Sequence, residues 1–243
     1  MNLILTMAGL YERFRGFSYE IPKYLLPLSN RTILHHVLKP FDESLVFNRV
    51  LLVANKQDLR FRSQVERTLD EFNFKMKDVI FIDSTEGQSD TASEGLAFLL
   101  KQHNFEKSPV VVHNIDTILL NRDFSLMEKE SKSSECVVDV FSGSNEAYSY
   151  VLKNGDHVST IIEKKVVSNM ASSGCYLFTH PDSAFLYLNK SSNHYISDSI
   201  MKMVKDGHHV KTTPTRVEGD TFVMGTPEEY INSMSVFDLT VHG

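Results

Sequence analysis

Short, nearly continuous apolar runs, each followed by a segment of helical spacing, constrain this chain more than any other feature. Residues 2–6 (NLILT), 49–54 (RVLLVA), 78–82 (DVIFI) and 109–113 (PVVVH) read as strands, and 32–41, 57–72 and 91–102 between them read as helices. A strand whose two faces are both covered loses the polar–apolar alternation of a half-exposed one, so this pattern predicts a parallel sheet with helices on either side. The second half changes character. Residues 135–142, 147–153 and 156–163 are strand-like, and Asn154-Gly155 is a hairpin turn signal. A strand over 173–178 and helices over 181–190, 195–206 and 225–233 complete the pattern. The expected fold is α/β, a Rossmann-like doubly wound sheet, mixed and mainly parallel, with helices on both faces and a small antiparallel portion. No linker-like stretch divides the 243 residues, so one domain is expected, its halves meeting near residue 125.

Composition removes several function classes. The 25 Lys+Arg against 31 Asp+Glu leave a net charge of −6, which offers no basic face for nucleic acid. No apolar stretch approaches the roughly 20 residues of a membrane span. Residues 3–9 lack a basic lead and are too short for a signal peptide. Cys136 and Cys175 lie in separate apolar runs without metal-type spacing, and the expected setting is reducing and cytoplasmic. The ten histidines form no H-x-x-x-H or H-x-H set and read as scattered surface residues.

The loop after the first strand, residues 7–28 (MAGLYERFRGFSYEIPKYLLPL), holds Gly9, Gly16, Arg13, Arg15 and Lys23. Open α/β sheets place ligand loops at carboxyl strand ends. A triphosphate needs backbone N–H groups that can approach its oxygens and cations to balance its charge. Neither G-x-x-x-x-G-K-[ST] nor G-x-G-x-x-G occurs, which excludes a P-loop and a dinucleotide fingerprint.

Ala8-Gly9, Arg13-Phe14, Tyr19, Pro22-Lys23-Tyr24-Leu25-Leu26-Pro27 and then Ile33-Leu34 resemble the signature of the sugar-nucleotide nucleotidylyltransferases, in particular short capsule-type members. That family's usual form is A-G-x-G-x-R-[FLM] followed by P-K-x-L-[LV]-P, and Tyr11 stands where its second glycine falls. The resemblance implies a GT-A-like fold, a nucleoside triphosphate and a small phosphorylated acceptor as partners, and Mg²⁺ as cofactor. It implies nucleotide binding by Ala8, Gly9, Arg13 and Lys23, with Lys23 and Arg13 carrying catalysis by positioning and neutralising phosphate charge.

Four further stretches resemble family segments. The strand ending at Asn114-Ile115-Asp116 resembles [NG]-x-D and makes Asp116 the metal ligand; Mg²⁺ asks only one or two carboxylates of a protein. Gly87-Gln88 in the segment 85–91 looks like the base-contacting G-[AQ]-x-x-T, and a Gln88 amide suits a pyrimidine edge. Glu163-Lys164 and Gly174 resemble V-E-K-P and [AN]-x-G-x-Y-x-F, which implies acceptor binding, with Lys165 in place of the proline. Gly225-Thr226-Pro227-Glu228-Glu229-Tyr230 matches a G-T-P-E-[DE] helix start. Two residues before that Gly-Thr pair the family has a second acidic ligand, where this chain has Val223; Asp220 is the alternative metal ligand if Gly219 bends the strand.

The expected reaction is transfer of an NMP group, pyrimidine favoured, to a sugar 1-phosphate, for surface-polysaccharide synthesis. Two alternatives stay open. One is a cytidylyltransferase for a phosphocholine-like or phosphorylated amino compound. The other is a non-catalytic nucleotide-binding regulator, motivated by Tyr11 and Val223. The sequence is compatible with a homo-oligomer and sets no oligomeric state.

Overall fold

The computed structural model describes residues 1–17, 20–103, 105, 107–191 and 193–242, with the backbone only for 238–242; Tyr19 of the loop lies outside the described residues. The first apolar run forms β1 (Asn2–Met7), buried along its whole length. It leads through a one-turn helix α1 (Glu12–Arg15) to a two-stranded ribbon, β2 (Pro27–Leu28) and β3 (Arg31–Thr32). Helix α2 (Ile33–Glu43) starts where the Thr32 hydroxyl accepts the His35 N–H, an N-cap bond. Then follow β4 (Arg49–Asn55), α3 (Arg62–Asp70), β5 (Met76–Ile82), α4 (Gln88–Leu100) and β6 (Val110–Asn114).

The second half runs β7 (Thr117–Leu119), α5 (Phe124–Ser131), β8 (Cys136–Ser142), β9 (Ser149–Asn154), β10 (His157–Glu163) and β11 (Met170–Phe178). It continues through α6 (Pro181–Leu188), α7 (Ile196–Lys205), β12 (Val210–Thr212), β13 (Thr221–Val223) and α8 (Pro227–His242). The main sheet is ordered β10-β9-β11-β6-β1-β4-β5, with β8 beside β11 and β12 beside β8. Strands β6, β1, β4 and β5 are parallel, and β11 runs against β6 and β8.

Side-chain alternation along β1 divides the core. Leu3 and Leu5 face α2, α3, α5 and α8 through Leu34, Phe41, Leu69, Phe124 and Phe237. Ile4 faces α4, α6 and α7 through Leu96, Leu99, Leu188 and Ile200. Each such fully buried side chain stabilises the fold by roughly 1.5–3 kcal/mol. Gly95 lets α4 lie close on the sheet, since a Cβ there would stand 3.0 Å from methyls of Ile4 and Val53.

The doubly wound architecture is as the sequence predicts, and so is the Asn154-Gly155 hairpin, with Gly155 at φ 61°. Three details differ. The helix expected over 57–72 is a 3₁₀ turn over Lys56–Phe61 followed by α3, because Asn55 caps Gln57 and turns Asp58 inward. The three-residue strands β7 and β13 pair with each other, too short to show a period of two. Histidines 36 and 113 are buried rather than superficial; His113 Nε2 lies 2.8 Å from the Thr117 carbonyl, and burial holds its pKa below the ordinary value.

Candidate functional site

The order of the sheet reverses at β1, which has β4 on one side and β6 on the other, and ligand crevices open at such switch points. At the carboxyl ends of β1 and β6 a cleft of about 410 Å³ is lined by Ala8, Gly9, Arg13, Lys23, Gly87, Gln88 and Asp116, among others. A second cavity of about 290 Å³ is lined by Glu163, Lys164, Gly174 and Tyr195. The two share Arg13, Gln88, Asn114, Asp116 and Gly225, so they are halves of one continuous groove. The residues that the resemblance assigns to nucleotide and acceptor binding all line this groove, whereas Arg15, Gly16 and Lys165 do not.

In the larger half a Cβ on Gly9 would meet nothing within 4 Å, so its backbone faces open space that a phosphate can enter. Arg13 is exposed and lines both cavities. Arg15 turns away, donating to Gln57 at 2.8 Å and stacking on the Tyr11 ring. Tyr11 itself has φ 39° and ψ 40°. That left-handed conformation accounts for a glycine at this position in the resembled signature. The tyrosine hydroxyl donates to the carboxylate of Asp58, which is 1% exposed, and Tyr24 donates to its other oxygen at 2.9 Å. One buried carboxylate therefore ties the start of the loop to the residue following Lys23.

At the junction Lys23 Nζ stands 2.9 Å from Asp116 Oδ2, with the two side chains 16% and 23% exposed. Burial alone would raise the Asp116 pKa, but the charge of Lys23 and its hydrogen bond outweigh burial and hold the carboxyl below its usual range. Asn114 is fixed beside it by the Thr6 hydroxyl at 3.2 Å.

On the other side Glu163 Oε2 accepts from the hydroxyls of Ser149 and Ser197. Lys164 donates to the Tyr195 hydroxyl at 2.6 Å. Gly174, at φ 77°, packs on Asn114, whose amide would lie 2.6 Å from a Cβ. Lys165 is not among the lining residues.

Asp220 is the predicted ligand that the fold does not bring to the groove. Its carboxylate accepts from Asn121 at 2.8 Å, and its carbonyl accepts from Leu120 N–H and from Arg122. Arg122 is in turn locked against the buried Asp139 at 3.0 Å, so turning Asp220 inward would break its hydrogen bonds to Asn121, Leu120 and this fixed Arg122. Glu229, read in the sequence only as part of a helix start, also lines the groove. Thr226 and Glu229 exchange hydrogen bonds as a capping box at the start of α8. A Cβ on Gly225 would lie 3.3 Å from Glu229 Oε2 and 3.6 Å from Asp116 Oδ2, so the two carboxylates flank one glycine. The T-x-x-E pattern was the available signal. Among the described residues no group of three or more His, Cys, Asp or Glu side chains is set to hold a metal on protein ligands alone.

The arrangement is that of a doubly wound α/β protein with a two-part groove at its switch point. The chain belongs to the nucleotidyl transferase family, whose model matches residues 2–233. Its fold is shared with a nucleoside-diphosphate-sugar pyrophosphorylase from Vibrio cholerae RC9, at 22% identity and a TM-score of 0.85 over 96% of this chain and 99% of that one. It is shared also with a UTP-bound UGPase from Acinetobacter baumannii, at 15% identity and 0.76 over 98% and 93%. HddC from Yersinia pseudotuberculosis aligns at 17% identity and 0.72 over 97% and 99%. Among curated proteins none matches by sequence. No helix among the described residues is long and apolar enough to cross a membrane.

Proposed function

We propose that this chain is a nucleotidylyltransferase that moves an NMP group from a pyrimidine nucleoside triphosphate to a sugar 1-phosphate. The products are an NDP-sugar and pyrophosphate, a cytoplasmic step suited to supplying surface-polysaccharide synthesis. The observation that carries this reading is the continuous groove whose two halves meet at Lys23 and Asp116. A triphosphate in one half and a phosphorylated acceptor in the other would bring their phosphates together there. Pyrimidine preference is supported by the Gln88 amide at the groove junction and by the UTP held in the Acinetobacter baumannii relative of the same fold.

In the proposed reaction an acceptor phosphate oxygen bonds to the α-phosphorus while the bond from that phosphorus to the bridging oxygen breaks, and pyrophosphate leaves with the electron pair. The attacking oxygen is already ionised at neutral pH, so the protein needs no general base. Its work is positioning and charge neutralisation. In this reading Lys23 serves the α-phosphate, Arg13 the departing pyrophosphate and Lys164 the acceptor phosphate. Glu163, held by two serines, suits acceptor hydroxyls. The donor set fits Mg²⁺: Asp116 offers one of the one or two carboxylates that ion takes from protein, and Glu229, across Gly225, would be a second only on giving up its bonds to Thr226. When bound, the ion would neutralise phosphate oxygens.

The test is a pyrophosphate-release screen with Mg²⁺, pairing UTP, CTP, dTTP, ATP and GTP with a panel of hexose 1-phosphates and with phosphocholine. Release with a pyrimidine triphosphate and a sugar 1-phosphate is expected. Preference for a purine overturns the base assignment, preference for phosphocholine overturns the acceptor, and silence with every pair removes the enzymatic reading.

A further inference from the structure

A short segment outside the motifs touches both halves of the groove. His194 inserts its ring between two carboxylates of the nucleotide side, with Nε2 2.8 Å from Glu86 and Nδ1 2.8 Å from Asp90. The Ser89 N–H donates to the His194 carbonyl at 3.1 Å. Gly87 is pressed under the same residue: a Cβ on it would stand 2.4 Å from the His194 carbonyl oxygen and 2.5 Å from its Cβ. The φ of Gly87 is −173°, an extended value any residue adopts, so closeness alone demands the glycine. His194 has φ 62°, a left-handed conformation that persists only where surrounding contacts fix it.

One residue on, the contacts change sides. Tyr195 accepts from Lys164 at 2.6 Å, with the ammonium 4.8 Å from its ring centroid. Ser197 donates to Glu163 at 2.6 Å. Three of four consecutive residues thus hold the segment expected beside the base and the two charged groups expected at the acceptor.

We infer that residues 194–197 are a strap coupling the two subsites, with His194 the positioning residue that makes acceptor binding depend on bound nucleotide. This rests on the nucleotide and acceptor halves assigned above. A base settling against Gly87 and Gln88 fixes Glu86 and Asp90, and these fix the imidazole between them. Tyr195 and Ser197 are then held where they set Lys164 and Glu163. Such coupling is reciprocal, so the acceptor tightens the nucleotide by the same factor.

The test uses the triphosphate and sugar 1-phosphate giving the fastest release in the screen above, with the α,β-methylene analogue of that triphosphate for binding. Calorimetry measures the Kd of the sugar 1-phosphate with and without the analogue, and the reverse. In the wild type the factor is expected at about fivefold or more, the lower end of usual coupling. In His194→Ala it falls to about one, while the analogue alone binds within about threefold of wild type. His194→Asn keeps one donor for Asp90 and tolerates the left-handed backbone, and restores part of the factor. If His194→Ala does not fold, Tyr195→Phe, which removes the hydrogen bond to Lys164, carries the same expectation. An unchanged factor in these variants overturns the strap, as does weakening of each ligand alone with the factor intact, the mark of a merely structural role. Turnover without coupling in the wild type overturns the strap and leaves the proposed function standing; absence of turnover with every pair removes both.

Discussion

Tyr11 provides a quantitative test of how the loop is held. Its hydroxyl bonds to a buried carboxylate, and a hydrogen bond to a charged group is worth about 1.5–3 kcal/mol. Tyr11→Phe removes that bond and leaves the backbone strain in place, so a loss of about 2 kcal/mol is expected. At 2–4 °C per kcal/mol for a chain this long, the melting temperature falls by roughly 4–8 °C. The backbone gives a second, signed expectation. A left-handed non-glycine residue carries about 1–2 kcal/mol of strain, which glycine relieves, while glycine adds about 0.4–1 kcal/mol of unfolded-state entropy. Tyr11→Gly should therefore be more stable than Tyr11→Ala by on the order of 1 kcal/mol, the reverse of the usual order in a helix. Urea unfolding of the three variants reads both numbers, and triphosphate KM should rise in each as the loop loosens. If the phenylalanine variant lies within 0.5 kcal/mol of wild type, about the noise of surface changes, the Asp58 bond holds nothing. If alanine equals glycine, the strain argument fails.

Lys23→Ala is expected to lower kcat by on the order of 10²–10³, the scale of one preorganised charge donor, and a near wild-type kcat and KM would remove it from the site. Asp116→Asn should raise the Mg²⁺ requirement strongly and Asp220→Asn little, because Asp220 is spent on Asn121; equal losses in a Mg²⁺ titration would refute that division. Gly174→Ala should destabilise by about 1–3 kcal/mol and weaken acceptor binding, since its φ is 77° and the new methyl would meet Asn114; a variant with wild-type melting would contradict it. His194 has a pKa raised above the ordinary 6.5, by the Asp90 hydrogen bond first and the charges of Asp90 and Glu86 after it. Its contribution to stability is full below 6.5 and is lost as pH rises through the raised value, so the gap between wild type and His194→Gln should close over that window in melts at stepped pH.

The sequence by itself determined the architecture and the address of the site. Continuous runs such as RVLLVA leave a strand no polar face, so helices must cover both sides of the sheet. The glycines and cations after β1 and the aspartate after β6 then fall at neighbouring strand ends whatever the details of the loops. Tertiary structure decided what depends on side-chain direction and on partners far along the chain. Tyr11 read as a departure from a glycine pattern; only the fold shows its hydroxyl leaving the groove for Asp58, 47 residues away. Asp220 was the nearer acid to the vacancy at Val223, yet Arg122 and Asn121 hold it outside, and a capping box brings Glu229 beside Asp116 instead. His194 carried no motif, because its meaning lies in two carboxylates more than a hundred residues earlier, one of them Asp90 at a separation of 104. Local periodicity reports which face of an element is buried; it does not report which distant groups share that face, and the groove is made of those meetings.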